Sequence, residues 1–181
     1  MYVDYSVSEY YKAFDKAVAA GIAKALPYNK VTAGKPLVAL WMHGSPGLAK
    51  RPYVPDIKRL IAEEYMGMLP SYVVMDDALN AETFYRHEDI MRLSREVGAE
   101  YVVICGIDGN QSKDKDYWYI VLNQGVFKAD GSLMSIVTFA KKVSATGNIQ
   151  ATGENLLSAK EELQRHLPFV TVEQQKLFCY Y

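Results

Sequence analysis

The stretch Arg92 to Asp108 constrains the fold more than any other part of this chain. It runs from the end of an amphipathic helix, with Leu93 and Val97 apolar, through Gly98 and into the apolar run Tyr101 to Ile107. A glycine there serves as a left-handed helix cap, and an apolar run bounded by polar residues reads as a buried strand. A helix that turns straight into a buried strand is the repeating unit of α/β sheets.

The rest of the chain extends that pattern. Ser8 caps a first helix to about Ala25, with Tyr11, Phe14, Val18 and Ile22 on one face, and Pro27 ends it. The linker Asn29 to Lys35 leads to a buried strand over Pro36 to Met42. Pro55 and Asp56 start a second helix with Ile57, Leu60, Ile61 and Met68 as its apolar stripe. A strand over Tyr72 to Met75 precedes a mostly helical segment to Gly98, with Phe84, Ile90, Leu93 and Val97 pointing inward. Asp108 to Asp116 reads as a polar, flexible connection. Tyr117 to Lys128 and Leu133 to Ser144 form an antiparallel hairpin whose turn chemistry is supplied by Asp130-Gly131. A last helix spans about Gly153 to His166, carries Leu156, Leu157 and Leu163, and is stopped by Pro168.

Crossover helices imply parallel pairing among the first three strands, and the hairpin adds antiparallel ones. The expectation is an α/β fold of the α+β sandwich kind, a mixed sheet of about five strands with helices packed on it. At 181 residues, half of them apolar, one domain is expected: residues 1–30 as a helical lead, 35–166 as the core and 168–181 as an extension.

A net charge of −1 and a pI near 6.3 supply no long-range field for nucleic acid or anionic lipid. No window approaches about 18 consecutive apolar residues, and the first residues lack the basic-then-apolar pattern of a signal peptide. The two cysteines, Cys105 and Cys179, have neither metal nor redox spacing, and Cys105 inside an apolar strand reads as a small buried thiol.

Several motifs touch on catalysis without completing it. His43-Gly44-Ser45-Pro46-Gly47 after a strand resembles the oxyanion loop of α/β hydrolases, but no Gly-x-Ser-x-Gly nucleophile elbow follows. The same region fails as a phosphate loop, because Ala49 and Arg51 stand where glycine and a hydroxyl residue are needed. His87-Glu88 begins like a zinc-protease helix, but Met91 occupies the second ligand position. Asp76-Asp77 closes a strand and reads as a helix cap more readily than an acid–base pair. Neither metal nor cofactor is expected.

Between Tyr11 and Leu163 the pattern resembles the α/β domain shared by the curli secretion lipoprotein, the N-terminal domain of the Tol translocation protein B and the lipoprotein activators of penicillin-binding proteins. The matching pieces are Lys35-Pro36-Leu37-Val38-Ala39-Leu40, Tyr72-Val73-Val74-Met75-Asp76, Gly98-Ala99-Glu100-Tyr101-Val102-Val103 and the hairpin at Asp130-Gly131. The tryptophan usual after that hairpin turn is absent, as are the curli transporter's membrane-inserting strands. The resemblance implies a non-enzymatic module of the bacterial envelope, periplasmic and lipoprotein-derived, that binds another envelope protein to assemble or regulate a machine.

Candidate partner contacts are Tyr2, Tyr5 and Tyr10, from a chain with 14 tyrosines, and Asp114 and Asp116 in the polar connection. Tyr2, Tyr5, Tyr10 and Tyr11 cannot share one helical face, so some of these rings face outward. The rival expectation is a small enzyme or ligand-binding domain using His43, Ser45 and the strand-end carboxylates near Asp76 and Asp108.

Overall fold

The computed structural model describes residues 29–32, 34–44, 54–75, 85–111, 118–142 and 147–170. The described residues form an α/β layer structure: a six-stranded mixed sheet with helices packed on it. The strands are β1 (Asn29–Lys30), β2 (Val38–Gly44), β3 (Tyr72–Val74), β4 (Tyr101–Gln111), β5 (Trp118–Lys128) and β6 (Leu133–Lys142). The helices are α1 (Val54–Met68), α2 (His87–Glu96) and α3 (Gly147–His166). Across the sheet the order is β1-β3-β2-β4-β5-β6.

The crossover logic holds. β2 runs parallel to both β3 and β4, and the β4, β5, β6 meander is antiparallel. The sixth strand, beyond the five or so expected, comes from the 29–35 linker. There Asn29 pairs with Val73, and its Oδ1 accepts a hydrogen bond of 3.0 Å from the Val74 amide.

Because side chains alternate along a strand, each strand serves both faces. On one face Val38, Leu40, Met42, Val103, Cys105, Ile107, Leu122 and Val126 meet Ile61, Tyr65 and Met68 of α1 and Leu156, Ala159 and Leu163 of α3. On the other, Ala39, Trp41, Val102 and Phe127 meet Met91 of α2 and Ala99. Among the described residues, the first face is covered by two helices and the second by one short helix lying toward β2 and β4.

Polar side chains fasten α3 to β5. Gln124 Nε2 donates to the Ala159 carbonyl at 3.1 Å, Asn155 Nδ2 donates to the Ile120 carbonyl at 2.8 Å, and the Tyr65 hydroxyl of α1 donates to Gln124 Oε1. Lys160 of α3 and Glu64 of α1 form an ion pair, both side chains largely buried.

Several expectations need correcting. Asp108 to Gln111 continue β4 rather than open a loop, because β5 starts early enough to pair Asp108 with Val121 and Gln111 with Trp118. The last helix starts at Gly147, six residues before Gly153, and buries Ala151 and Thr152 in the turns added. Leu157 is 52% exposed, since the inward face is set by Leu156, Ala159 and Leu163. Val97 is 37% exposed: α2 turns Met91 and Ser94 inward, where Ser94 Oγ accepts from the Trp41 indole N–H at 2.9 Å. Ile104 is half-buried although its neighbours Val103 and Cys105 are fully enclosed. Gly98 takes φ +81°, the left-handed cap read from its position.

Candidate functional site

Among the described residues, α2 leaves part of the second face uncovered. There the strands present small residues: Gly106 on β4 lies opposite Asn123 on β5, and Gly125 on β5 lies between Ile104 and Ile136. The missing side chains leave a shallow groove of about 170 Å³ lined by His43, Ile104, Gly106, Asn123, Gln124, Gly125, Phe127 and Ile136.

Neighbouring rings lie over the two glycines. A Cβ on Gly106 would stand 2.5 Å from His43 Cε1, and one on Gly125 would stand 2.8 Å from the edge of the Phe127 ring. Packing an aromatic over a strand glycine restores part of the cover the glycine lacks. His87 of α2 meets Phe127 edge-on, with ring centroids 5.1 Å apart, and Tyr85 meets Trp41 at 5.0 Å. Beyond this row stand the exposed apolar side chains Leu133 (59%) and Ile136 (65%) of β6.

Of the residues singled out in the sequence, His43 belongs to this groove, at the end of β2. Asp108 follows Gly106 on the same face of β4, and its Oδ1 accepts from the Gly109 amide at 2.7 Å. Tyr2, Tyr5, Tyr10, Ser45, Asp76, Asp114 and Asp116 lie outside the described residues.

Gly106, Gly125, Phe127, Leu133 and Ile136 escaped the sequence reading. The available signal was glycine inside two apolar strands, which marks a close approach of another group.

A second cluster has the residue types of a hydrolytic triad but the wrong order. Ser135 Oγ donates to Glu162 Oε1 at 3.1 Å, and His166 Nε2 lies 3.0 Å from that same oxygen. Hydroxyl and imidazole converge on the carboxylate, whereas a nucleophile must be bonded to its base. The hydrogen bond to His166 holds the Glu162 carboxyl below the usual carboxylate range, helped by Ser135 and by the charge of Arg165. The group ties α3 to β6.

Burial pushes the Cys105 thiol from 9.0 up to about 12, although its hydrogen bond with Tyr65 opposes the rise. A thiol so protonated is a poor nucleophile. Among the described residues no three His, Cys, Asp or Glu side chains are grouped to hold a metal ion, and no helix is long and apolar enough to cross a membrane.

No protein-family model matches this chain, and no curated protein sequence matches it. Among solved structures it is similar to PelC from Paraburkholderia phytofirmans, a dodecamer, at 9% identity over 81% of this chain and 96% of that one, with a TM-score of 0.46. It is similar to the LpoB C-terminal domain from Escherichia coli at 15% identity over 71% and 97%, TM-score 0.38. It is also similar to the lipoprotein GNA1162 from Neisseria meningitidis at 11% identity over 74% and 98%, TM-score 0.40. These are distant similarities of fold.

Proposed function

We propose that this chain is a non-enzymatic protein-binding module of the bacterial envelope that helps assemble or regulate an envelope machine. The observation that carries the reading is the apolar face left uncovered among the described residues: a ring-lined groove continuous with exposed Leu133 and Ile136. Contiguous exposed apolar surface of this kind marks protein contact sites, with aromatic side chains as anchors. The envelope assignment rests on the resemblance of the Lys35, Tyr72, Gly98 and Asp130 segments to the envelope domain family. Tyr2, Tyr5, Tyr10, Asp114 and Asp116 are further proposed contacts, the two aspartates falling between the paired ends of β4 and β5.

A photo-crosslinking amino acid placed at Asn123, beside the groove, tests this in cells of the native host, with Leu157 on the helical layer as the control position. A covalent adduct to a defined envelope protein from position 123, absent from position 157, is the expected result. Equal adducts from both positions, or none from 123, would refute it.

The rival small-molecule reading is favoured by one observation, the presence of His43 in the groove. Purified protein assayed on generic esters discriminates: turnover abolished by Ser45→Ala or His43→Ala would replace the proposal with an enzyme.

A further inference from the structure

β6 ends the sheet, and among the described residues no strand pairs with its outer side. Two hydrogen bonds at the β5–β6 turn fix which of its residues look that way. Lys128 N–H donates to the Ser132 carbonyl, toward β6, and Ala129 N–H donates to the Glu100 carbonyl, toward β4. Backbone groups alternate sides along a strand, so Val126, Gln124 and Leu122 of β5 also turn toward β6. Their partners there are Ser135, Val137 and Phe139. Ile136, Thr138 and Ala140 therefore hold their N–H and C=O groups outward, and all three are exposed. Below them Met134 is the extra residue of a bulge, and above them Lys141 is paired with Glu154 of α3 at 3.7 Å.

Only another strand offers donors and acceptors at the spacing of an open edge. We propose that an extended segment of the partner protein adds to β6 over Ile136 to Ala140 as a further strand. The strand addition rests on the protein-binding role proposed for the groove and adds how the partner is held. The side chains of the three outward residues lie on the groove's face: Ile136 is part of the rim, and Thr138 Oγ1 donates to Asn123 Oδ1 at 2.8 Å. Residues directly opposite on paired strands share a face, so the incoming residue beside Ile136 meets an apolar wall and is itself β-branched or aromatic. No charged residue occurs from Leu133 to Ala140, so this length of edge selects an uncharged segment.

A second copy of this chain is a poorer occupant. Its β6 would meet this one over roughly 17 Å of strand, and sheets joined only along such an edge bury far less than the ~800 Å² per partner of a standard interface. Its strand is also fixed in its own sheet, whereas a separate segment can add to the edge and continue over the groove.

The test uses the full chain in cells of its native host, with the photo-crosslinking amino acid at Ala140 on the edge or at Asn123 beside the groove. Both positions should give an adduct to the same envelope protein. Thr138→Pro removes an outward N–H and sets a ring in the path of the added strand while leaving the β5 ladder whole. It should cut both adducts on the order of tenfold or more, with a melting temperature close to that of the parent chain. Thr138→Val, which keeps the N–H and loses the hydroxyl, should leave both adducts in place. Should Thr138→Pro not fold, amide exchange decides: the crosslinked segment of the partner, made as a peptide, should slow exchange at Ile136, Thr138 and Ala140 of the parent chain. Adducts that survive in folded Thr138→Pro, outward amides that exchange equally fast with the peptide bound, or an adduct from Ala140 to a second copy of this chain would each overturn the strand addition and leave the groove's role standing. No adduct from either position would refute both.

Discussion

Replacing Gln124 with Leu probes the polar clamp between the sheet and both helices of the first face. Gln124 is fully buried; it accepts from the Tyr65 hydroxyl and donates to the Ala159 carbonyl at 3.1 Å. Leucine fills a similar volume, so the cost arises from groups left without partners rather than from a cavity. A neutral buried donor or acceptor that loses its partner costs about 1–3 kcal/mol. Tyr65 is the main casualty of Gln124→Leu, because Ala159 lies within α3 and its carbonyl is also a helix acceptor. Because the Tyr65 hydroxyl keeps its weaker hydrogen bond with Cys105, the expected loss is about 1–3 kcal/mol. Tyr65→Phe strands Gln124 Oε1 instead and should cost about 1–3 kcal/mol. The decisive measurement is the double variant. With both polar partners gone nothing is orphaned between them, so Tyr65→Phe with Gln124→Leu should be more stable than the sum of the single effects by about 1–2 kcal/mol. Urea unfolding of the four proteins gives these values as midpoint shifts at constant slope. Single effects that add within about 0.5 kcal/mol would show that the two side chains are not coupled and refute the reasoning.

Other perturbations follow from the same geometry. Lys160→Met leaves Glu64 charged and alone in a largely buried site and should cost about 3–5 kcal/mol, whereas Lys160→Met with Glu64→Leu should recover most of that loss in the same unfolding assay. Gly98→Ala places a side chain at φ +81° with no clash near its Cβ, so a strain cost of about 1 kcal/mol is expected, and a melting temperature that rises would contradict it. For Cys105, burial raises the folded value to about 12 from an ordinary 9.0, so the stability tied to the neutral thiol is intact below pH 9 and is lost as pH climbs toward 12. A Cys105→Ala variant, compared by urea midpoint across that range, should show a shallower alkaline decline. Val102→Asp, fully buried beneath α2, should destabilise by several kcal/mol and by more than Ile104→Asp, whose side chain reaches the groove; equal melting temperatures would place both residues alike.

Much of the framework was readable because it rests on local signals. Gly98, the apolar run after it and the Asp130-Gly131 turn each specify backbone geometry within a few residues. The parallel crossovers followed from helices lying between strands. Less local features were not readable. Asn29 and Lys30 form a strand only because β3 offers an edge, and Asp108 to Gln111 extend β4 only because Trp118 to Val121 lie opposite. The rotation of α2 that buries Ser94 and exposes Val97 is set by the Trp41 indole across the sheet, a partner 53 residues away. The groove was hidden for the same reason: Gly106 and Gly125 become a concavity only when β4 and β5 stand side by side with His43 and Phe127 lying across them.

The unequal covering of the two sheet faces by the described residues has an evolutionary consequence. Cohesion is concentrated where α1 and α3 close over β2, β4 and β5, whereas Ile136, Leu133, Asn123 and Thr138 stand largely in solvent on or beside the uncovered face. Surface side chains remote from the core typically change stability by less than about 0.5 kcal/mol when replaced. Under the proposed binding role, substitutions can therefore accumulate on this face and change what it recognises while the folded state tolerates them. A lineage carrying such a sheet could exchange partners through a handful of point mutations, with its fold insulated from the search on the opposite side of the same strands.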